Sequence, residues 1–215
     1  MRIAIPITAT TVDDALKDMD VATPLADILE LRLDYMSRPN LEVLLRHCAI
    51  PKIVTNRTKH ERGRFQGSEE RRIAYLQEAI DLGAEYIDIE SDYFHNFERK
   101  STKLIVSHHN FENTPQDLDS IYRWIVSQGA DIVKIATTAK DYTDSLRMLQ
   151  LIAAADRDII GICMGEKGSL TRVLGPVYGG YLTFACLTDD KASASGQMTV
   201  AQLQQASKLL RCDSG

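Results

Sequence analysis

Gly129-Ala130-Asp131-Ile132-Val133-Lys134-Ile135-Ala136 is the stretch from which the rest of the chain is read. Five of its eight residues are apolar, and Ile132, Val133 and Ile135 are β-branched. That is the composition of a short, buried parallel strand entered from a glycine turn. A lysine inside such a strand is costly to bury. Its ammonium pairs with a carboxylate, or its pKa falls below the free value of roughly 10.4. A neutral amine in a dry pocket attacks ketones and forms a Schiff base. A lysine at the strand end, in solvent or in a structural ion pair, is the plainer alternative, and this stretch alone leaves both open.

Working outward, apolar strand candidates recur at Ile3–Ile7, Ile28–Asp34, Lys52–Arg57, Tyr86–Glu90, Lys103–His109, Ile159–Met164 and Tyr181–Ala185. Helical patterns fall between most of them, at Thr11–Val21, Leu41–His47, Ser68–Leu82, Pro115–Ser127, Thr143–Ala155 and Leu170–Leu174, with Thr199–Leu210 last. The connection Ser91–Lys100 is the weakest as a helix. Ser68 ahead of Glu69 and Glu70, and Thr114 ahead of Pro115, read as helix caps. Alternation sustained over eight units predicts a (β/α)8 TIM barrel, one domain over residues 1–215.

Strand parity then predicts what the barrel encloses. In Ile28-Leu29-Glu30-Leu31-Arg32-Leu33-Asp34 the leucines share one face and the charges the other. The apolar face meets the helices, so the charges point inward. The same reasoning puts Arg57, Asp88, Glu90, His109 and Lys134 inside, towards the C-terminal strand ends where barrel enzymes build their sites. An antiparallel sheet with one wet face would also alternate, but the intervening helices argue against it.

Bulk properties exclude several functions. The chain has 215 residues, is 44% hydrophobic and carries a net charge of −5, with no basic footprint for nucleic acid or a membrane surface. No apolar run approaches a membrane span, and the N-terminus lacks a secretory or transit pattern. Cys48, Cys163, Cys186 and Cys212 have neither zinc nor redox spacing and suit the reducing cytoplasm.

Six fragments in order resemble the type I 3-dehydroquinate dehydratases, collinearly over nearly the whole chain. They are Glu30-Leu-Arg32-Leu-Asp34, Arg57-x-x-x-Glu61, Ser107-His108-His109-Asn110-Phe111, the Lys134 stretch, Met164 with Gly168-x-x-x-Arg172, and Ala192-Ser193-Ala194-Ser195-Gly196-Gln197. The resemblance implies removal of water from 3-dehydroquinate to give 3-dehydroshikimate, in the shikimate route to aromatic compounds, with no metal or cofactor. It implies Lys134 as the imine former and His109 as base and acid, with Glu61 orienting the imidazole. His109, not His108, precedes Asn110-Phe111, and strand parity turns His108 towards the helices. Arg172 is implied as the fork for the substrate carboxylate. Ser193 and Gln197 would hold the substrate from a closing loop, Asp189–Gln197. Glu30, Arg32 and Arg57 would hold hydroxyls, while Met164 and Phe184 would supply apolar walls.

The sequence departs from the family pattern at Ile162, where a methionine is common. It departs again at Arg62, where a glycine is common, and at Ser195, where a proline is usual; that last change is expected to loosen the loop. Many relatives place an extra hairpin ahead of the first strand. Its absence predicts a barrel bottom that is open or serves as a contact surface. The sequence leaves the oligomeric state open, with a homodimer among the options. Other readings are an aldolase-like Schiff-base lyase, a barrel that binds a hydroxy acid without turnover, and the dehydratase half of an enzyme fused to a shikimate dehydrogenase.

Overall fold

The computed structural model describes residues 1–210; Cys212 lies outside them. Eight strands run parallel in the order β7-β6-β5-β4-β3-β2-β1-β8. They are β1 (Ile3–Ile7), β2 (Ile28–Arg32), β3 (Lys52–Thr55), β4 (Tyr86–Glu90), β5 (Lys103–Asn110), β6 (Ile132–Thr138), β7 (Asp158–Met164) and β8 (Thr183–Phe184). The helices are α1 (Val12–Ala22), α2 (Leu41–Arg46), α3 (Glu69–Asp81), α4 (Leu118–Ser127), α5 (Tyr142–Ala154), α6 (Ser169–Leu174) and α7 (Val200–Leu210). Together they make the expected (β/α)8 barrel, nearly closed. The eighth strand is two residues long, and the gap to β7 is spanned by the Tyr181 N–H donating to the Ile159 carbonyl at 2.7 Å.

Parity does what the sequence predicts. Leu29, Leu31, Val54, Ile87, Ile89, Val106, Val133 and Ile135 face the helices, where they pack with residues such as Leu44, Leu76, Ile125 and Met148. Each such burial contributes about 1.5–3 kcal/mol, so this layer holds the helices to the barrel. The other parity fills the lower barrel with Ala4, Ile28, Ile53, Ile105, Ile132 and Ile160. Above them the same faces carry the charges. Register sets Lys134 level with Ser107 on β5 and Ile160 on β7.

Several local expectations change. The bottom of the barrel is not open: Tyr86 and Tyr181 bring their hydroxyls to 2.7 Å, and the Arg2 guanidinium lies 4.5 Å from the Tyr181 ring centroid. Ser68 caps α3 by accepting from the Arg71 N–H, as expected. Thr114, in contrast, is not a cap, and α4 begins only at Leu118. The Thr114 hydroxyl is drawn instead to Thr137 Oγ1 at 2.9 Å and the Thr138 carbonyl at 3.1 Å. The weak connection after β4 forms a single 3-10 turn, Ser91–Tyr93, and no α-helix.

Candidate active site

The C-terminal strand ends surround a cleft of about 400 Å³. Every residue singled out from the sequence lines it: Lys134, His109 and Glu61, then Glu30, Arg32, Arg57 and Arg172, then Ser193, Gln197, Met164 and Phe184. At its floor, Lys134 is 6% exposed and donates to Asp88 Oδ2 at 2.7 Å, with Glu30 Oε1 3.6 Å away. Its Nζ also sits 4.7 Å from the centre of the Phe184 ring. Of the two ways of tolerating a buried lysine, the structure shows the ion pair.

Asp88 is the hub of the floor. Besides Lys134 it accepts from Arg57 Nη2 and from Ser107 Oγ, each at 2.7 Å. Burial opposes ionisation of its carboxyl, but Arg57 and Lys134 outweigh it and hold the group well below the usual carboxylate range. Arg57 Nη1 donates to Ser107 Oγ at 2.7 Å and to Glu61 Oε2 at 3.4 Å. Burial acts against its charge, yet Asp88, Glu90 and Glu61 keep it protonated above its usual range. The guanidinium is therefore largely spent on protein carboxylates. Arg32 gives Nε and Nη2 to the two oxygens of Asp34, each at 2.8 Å, which leaves Nη1 for a ligand.

The turn after β3 lifts Glu61 over the strand ends. The Glu61 N–H donates to the Thr58 carbonyl, and the Gly63 N–H donates to the same oxygen. A Cβ at Gly63 would lie 2.1 Å from the Arg57 carbonyl oxygen, so this turn requires glycine. Glu61 Oε2 then meets His109 Nδ1 at 2.7 Å, which leaves Nε2 as the ring's other nitrogen for a ligand. Burial pulls the His109 pKa below its ordinary value; Arg57 and Lys134 add to the fall, and Glu61 opposes it. Phe111 stacks on the imidazole with ring centres 5.7 Å apart, and the Arg62 guanidinium lies 4.3 Å from the Phe111 centroid. His108 turns outward to Trp124, although its Nδ1 finds no partner.

Arg172, on α6, is 1% exposed. Among the described residues no carboxylate lies within salt-bridge distance of it, and its Nε has no hydrogen-bond acceptor. Burial pushes its pKa down to about 10. A guanidinium keeps its proton even so, leaving a buried positive charge that faces the cleft without a counter-ion. The last loop comes down beside it. The Ser195 carbonyl accepts from the Gly165 N–H at 3.2 Å and from Arg172 Nη2 at 3.4 Å. Gly196, at φ +72, packs against Gly165 so closely that a Cβ would lie 2.5 Å from its carbonyl oxygen. Ser193 donates from both N–H and Oγ to Gln197 Oε1, which leaves the Gln197 amide donors available.

Sequence reasoning placed Asp88 and Glu90 inside the barrel, at the end where the site forms, but gave neither an individual role. It missed Arg72 altogether. From α3 this side chain reaches Glu90 at 2.6 Å and the Asn56 carbonyl at 3.1 Å, fully buried. Its signal was hidden in the charged run Glu69-Glu70-Arg71-Arg72, which reads as a solvated face.

Comparison with known proteins identifies the family. The model of the family "Type I 3-dehydroquinase" matches residues 3–213. A 3-dehydroquinate dehydratase of Methanococcus maripaludis is 37% identical over 97% of this chain and 99% of its own length. A chloroplastic bifunctional 3-dehydroquinate dehydratase/shikimate dehydrogenase of Arabidopsis thaliana is 40% identical over 94% of this chain, which spans 36% of that protein. The crystal structure of a type I 3-dehydroquinate dehydratase from Clostridium difficile superposes with a TM-score of 0.85 at 27% identity, covering 97% of this chain and 92% of that one. A barrel whose mouth gathers Lys134, His109 and Arg172, matched by the family model over nearly its full length, leaves one conclusion: the chain belongs to the type I 3-dehydroquinase family.

Proposed function

We propose that this chain dehydrates 3-dehydroquinate to 3-dehydroshikimate through a Schiff base on Lys134, with His109 as general base and then general acid. One observation carries the reading. A single cleft holds an amine, an imidazole fixed by a carboxylate and a guanidinium that has no counter-ion among the described residues. A cyclic hydroxy-keto acid offers one group to each.

Arg172 takes the carboxylate with two parallel bonds, which relieves its buried charge. Lys134 gives up a proton, its lone pair adds to the ring carbonyl, and the carbonyl oxygen takes up that proton and a second one from the nitrogen; it leaves as water, and the nitrogen becomes a protonated imine. Asp88, 2.7 Å from Nζ, stabilises that positive charge as it stabilised the ammonium. The imine is the electron sink. His109 Nε2 removes the proton from the adjacent carbon, and Glu61 orients the ring and balances the imidazolium that forms. The imidazolium then returns the proton to the departing hydroxyl on the next carbon, which leaves as water. Hydrolysis of the imine releases the enone and frees Lys134. The water consumed there matches the one lost on imine formation, so the net change is the loss of a single water.

Glu30 and Arg32 Nη1 hold ring hydroxyls. Arg57 acts through Asp88, Ser107 and Glu61 as well as by lining the cleft. Phe184 and Met164 keep bulk water from the imine, and Ser193 and Gln197 close over the acid. The free thiols of Cys48, Cys163 and Cys186 suit a cytoplasmic setting. No described helix is long and apolar enough to cross a membrane. The dehydratase reading is the same whether the chain acts alone, as a homodimer or as part of a bifunctional enzyme. The test is turnover. Wild type with 3-dehydroquinate should generate the ultraviolet absorbance of a conjugated enone acid. Binding without that absorbance would leave a hydroxy-acid receptor in its place.

A further inference from the structure

A second cleft, of about 390 Å³, shares no lining residue with the active site. Its walls are the turn after β2, the segment 64–66 and the start of α3. Three features set its chemistry.

The first is an amide without partners. Asn56 is 1% exposed and lines the cleft, yet neither its Oδ1 nor its Nδ2 makes a hydrogen bond. A buried carboxamide with both ends unmet calls for a group that donates and accepts at that spot.

The second is charge. Arg64 and Arg71 line the cleft, and among the described residues neither has a carboxylate within salt-bridge distance. The Arg64 guanidinium lies 4.1 Å from the Tyr35 ring centre, and Arg71 Nη2 donates to the Tyr75 hydroxyl at 3.2 Å. Among the described residues the only acid in the lining, Asp34, is already engaged. Its oxygens accept from Arg32 Nε and Nη2 at 2.8 Å, and Oδ2 also takes the Arg64 N–H at 3.0 Å. The cleft is thus left with unopposed positive charge.

The third is shape. Besides the cations and the amide, the walls include Tyr35, Tyr75, Phe65 and Met36, an apolar surface suited to a flat body. The volume is that of a small-molecule site.

We infer that this cleft is a second binding site, for a small carboxylate or phosphate ester carrying a flat apolar ring and a hydroxyl. Arg64 and Arg71 hold the anion, the aromatic walls take the ring, and the Asn56 amide pairs with the hydroxyl, which both donates and accepts. The inference stands apart from the dehydratase reading, since no residue of that mechanism contributes.

The test is calorimetric titration of the full chain with four probes. These are 4-hydroxybenzoate, benzoate without the hydroxyl, 4-hydroxybenzamide without the charge, and inorganic phosphate without the ring. 4-Hydroxybenzoate should bind best, with each of the others at least about tenfold weaker, the effect of losing one good polar or apolar contact. The double variant Arg64→Ala/Arg71→Ala should weaken 4-hydroxybenzoate at least about tenfold. Asn56→Leu should abolish its advantage over benzoate. Arg172→Met should leave its binding unchanged. Affinity untouched by the double variant but lost in Arg172→Met would place the probe in the active site and overturn the proposal. So would equal binding of all four probes, or no saturable binding up to about 10 mM.

Discussion

Replacing Arg172 by Met should make the protein more stable while removing its activity. The side chain is 1% exposed, with no carboxylate partner among the described residues. Burial takes its pKa from 12.5 to about 10, which corresponds to about 3 kcal/mol of cost to the folded protonated state. The group's folded pKa is depressed, so the cost is fully present at every pH below about 10, including neutrality. It would be relieved only as pH rises through the folded value towards the unfolded one. Methionine has a similar length, repeats the apolar stem and carries no charge to desolvate. The loss is a 3.4 Å bond to the Ser195 carbonyl, set against the burial relieved; replacing even a buried ion pair by apolar side chains is often neutral or stabilising by about 1–4 kcal/mol, and here no partner charge among the described residues is left behind. We expect about 2 kcal/mol in urea unfolding at pH 7 with the slope unchanged, and a Tm higher by about 4–8 °C for a chain of this size. Substrate should raise the Tm of wild type and not of the variant. A variant destabilised by 1 kcal/mol or more would show that the Arg172 charge is already compensated in the free protein, and the argument for an anion site at that position would fall.

Three further outcomes follow from the same geometry. Arg172→Lys keeps the charge and loses the fork, so kcat/KM should fall by an amount equivalent to about 1.5–3 kcal/mol; an unchanged value would place the carboxylate elsewhere. In Glu61→Gln the opposing carboxylate is gone, so burial, Arg57 and Lys134 pull the His109 pKa further down. Neutral His109 then persists to lower pH, and the acidic limb of kcat/KM should move down as kcat falls; an upward or stationary limb would refute the pair. Asp88→Asn removes the anion shared by Lys134 and Arg57 and should destabilise by about 3–5 kcal/mol in urea unfolding at pH 7. Because the Asp88 carboxyl is held below its usual range, wild type should lose this advantage as pH falls below about 4, the ordinary carboxylate value, and converging stabilities there would check the assignment.

The inside of the barrel was legible because two periodicities coincide. Alternation puts Glu30 and Arg32 opposite Leu29 and Leu31, and helical crossovers tell which face is covered. The pairings were not legible. Asp88 and Lys134 lie on β4 and β6, and only the register and tilt of three strands bring their side chains to 2.7 Å. Composition also misled where tertiary contacts outbid local preference. Thr114-Pro115 has the form of a helix start, but Thr137 and Thr138 claim the hydroxyl. The closing loop is held through the Ser195 carbonyl to Gly165 and Arg172, a backbone contact that no side-chain pattern announces. The tyrosine pair that fills the barrel bottom was invisible as well, because Tyr86 and Tyr181 lie 95 residues apart.

The central claim is that Lys134 carries the reaction, and it can be read on the protein's mass. Wild type incubated with 3-dehydroquinate and then treated with borohydride should gain one ligand-derived adduct, mapped by peptide fragmentation to Lys134. Without borohydride the adduct should be hydrolysed, and Lys134→Ala should show neither adduct nor turnover. An adduct on any other lysine, or full activity in Lys134→Ala, would contradict the account.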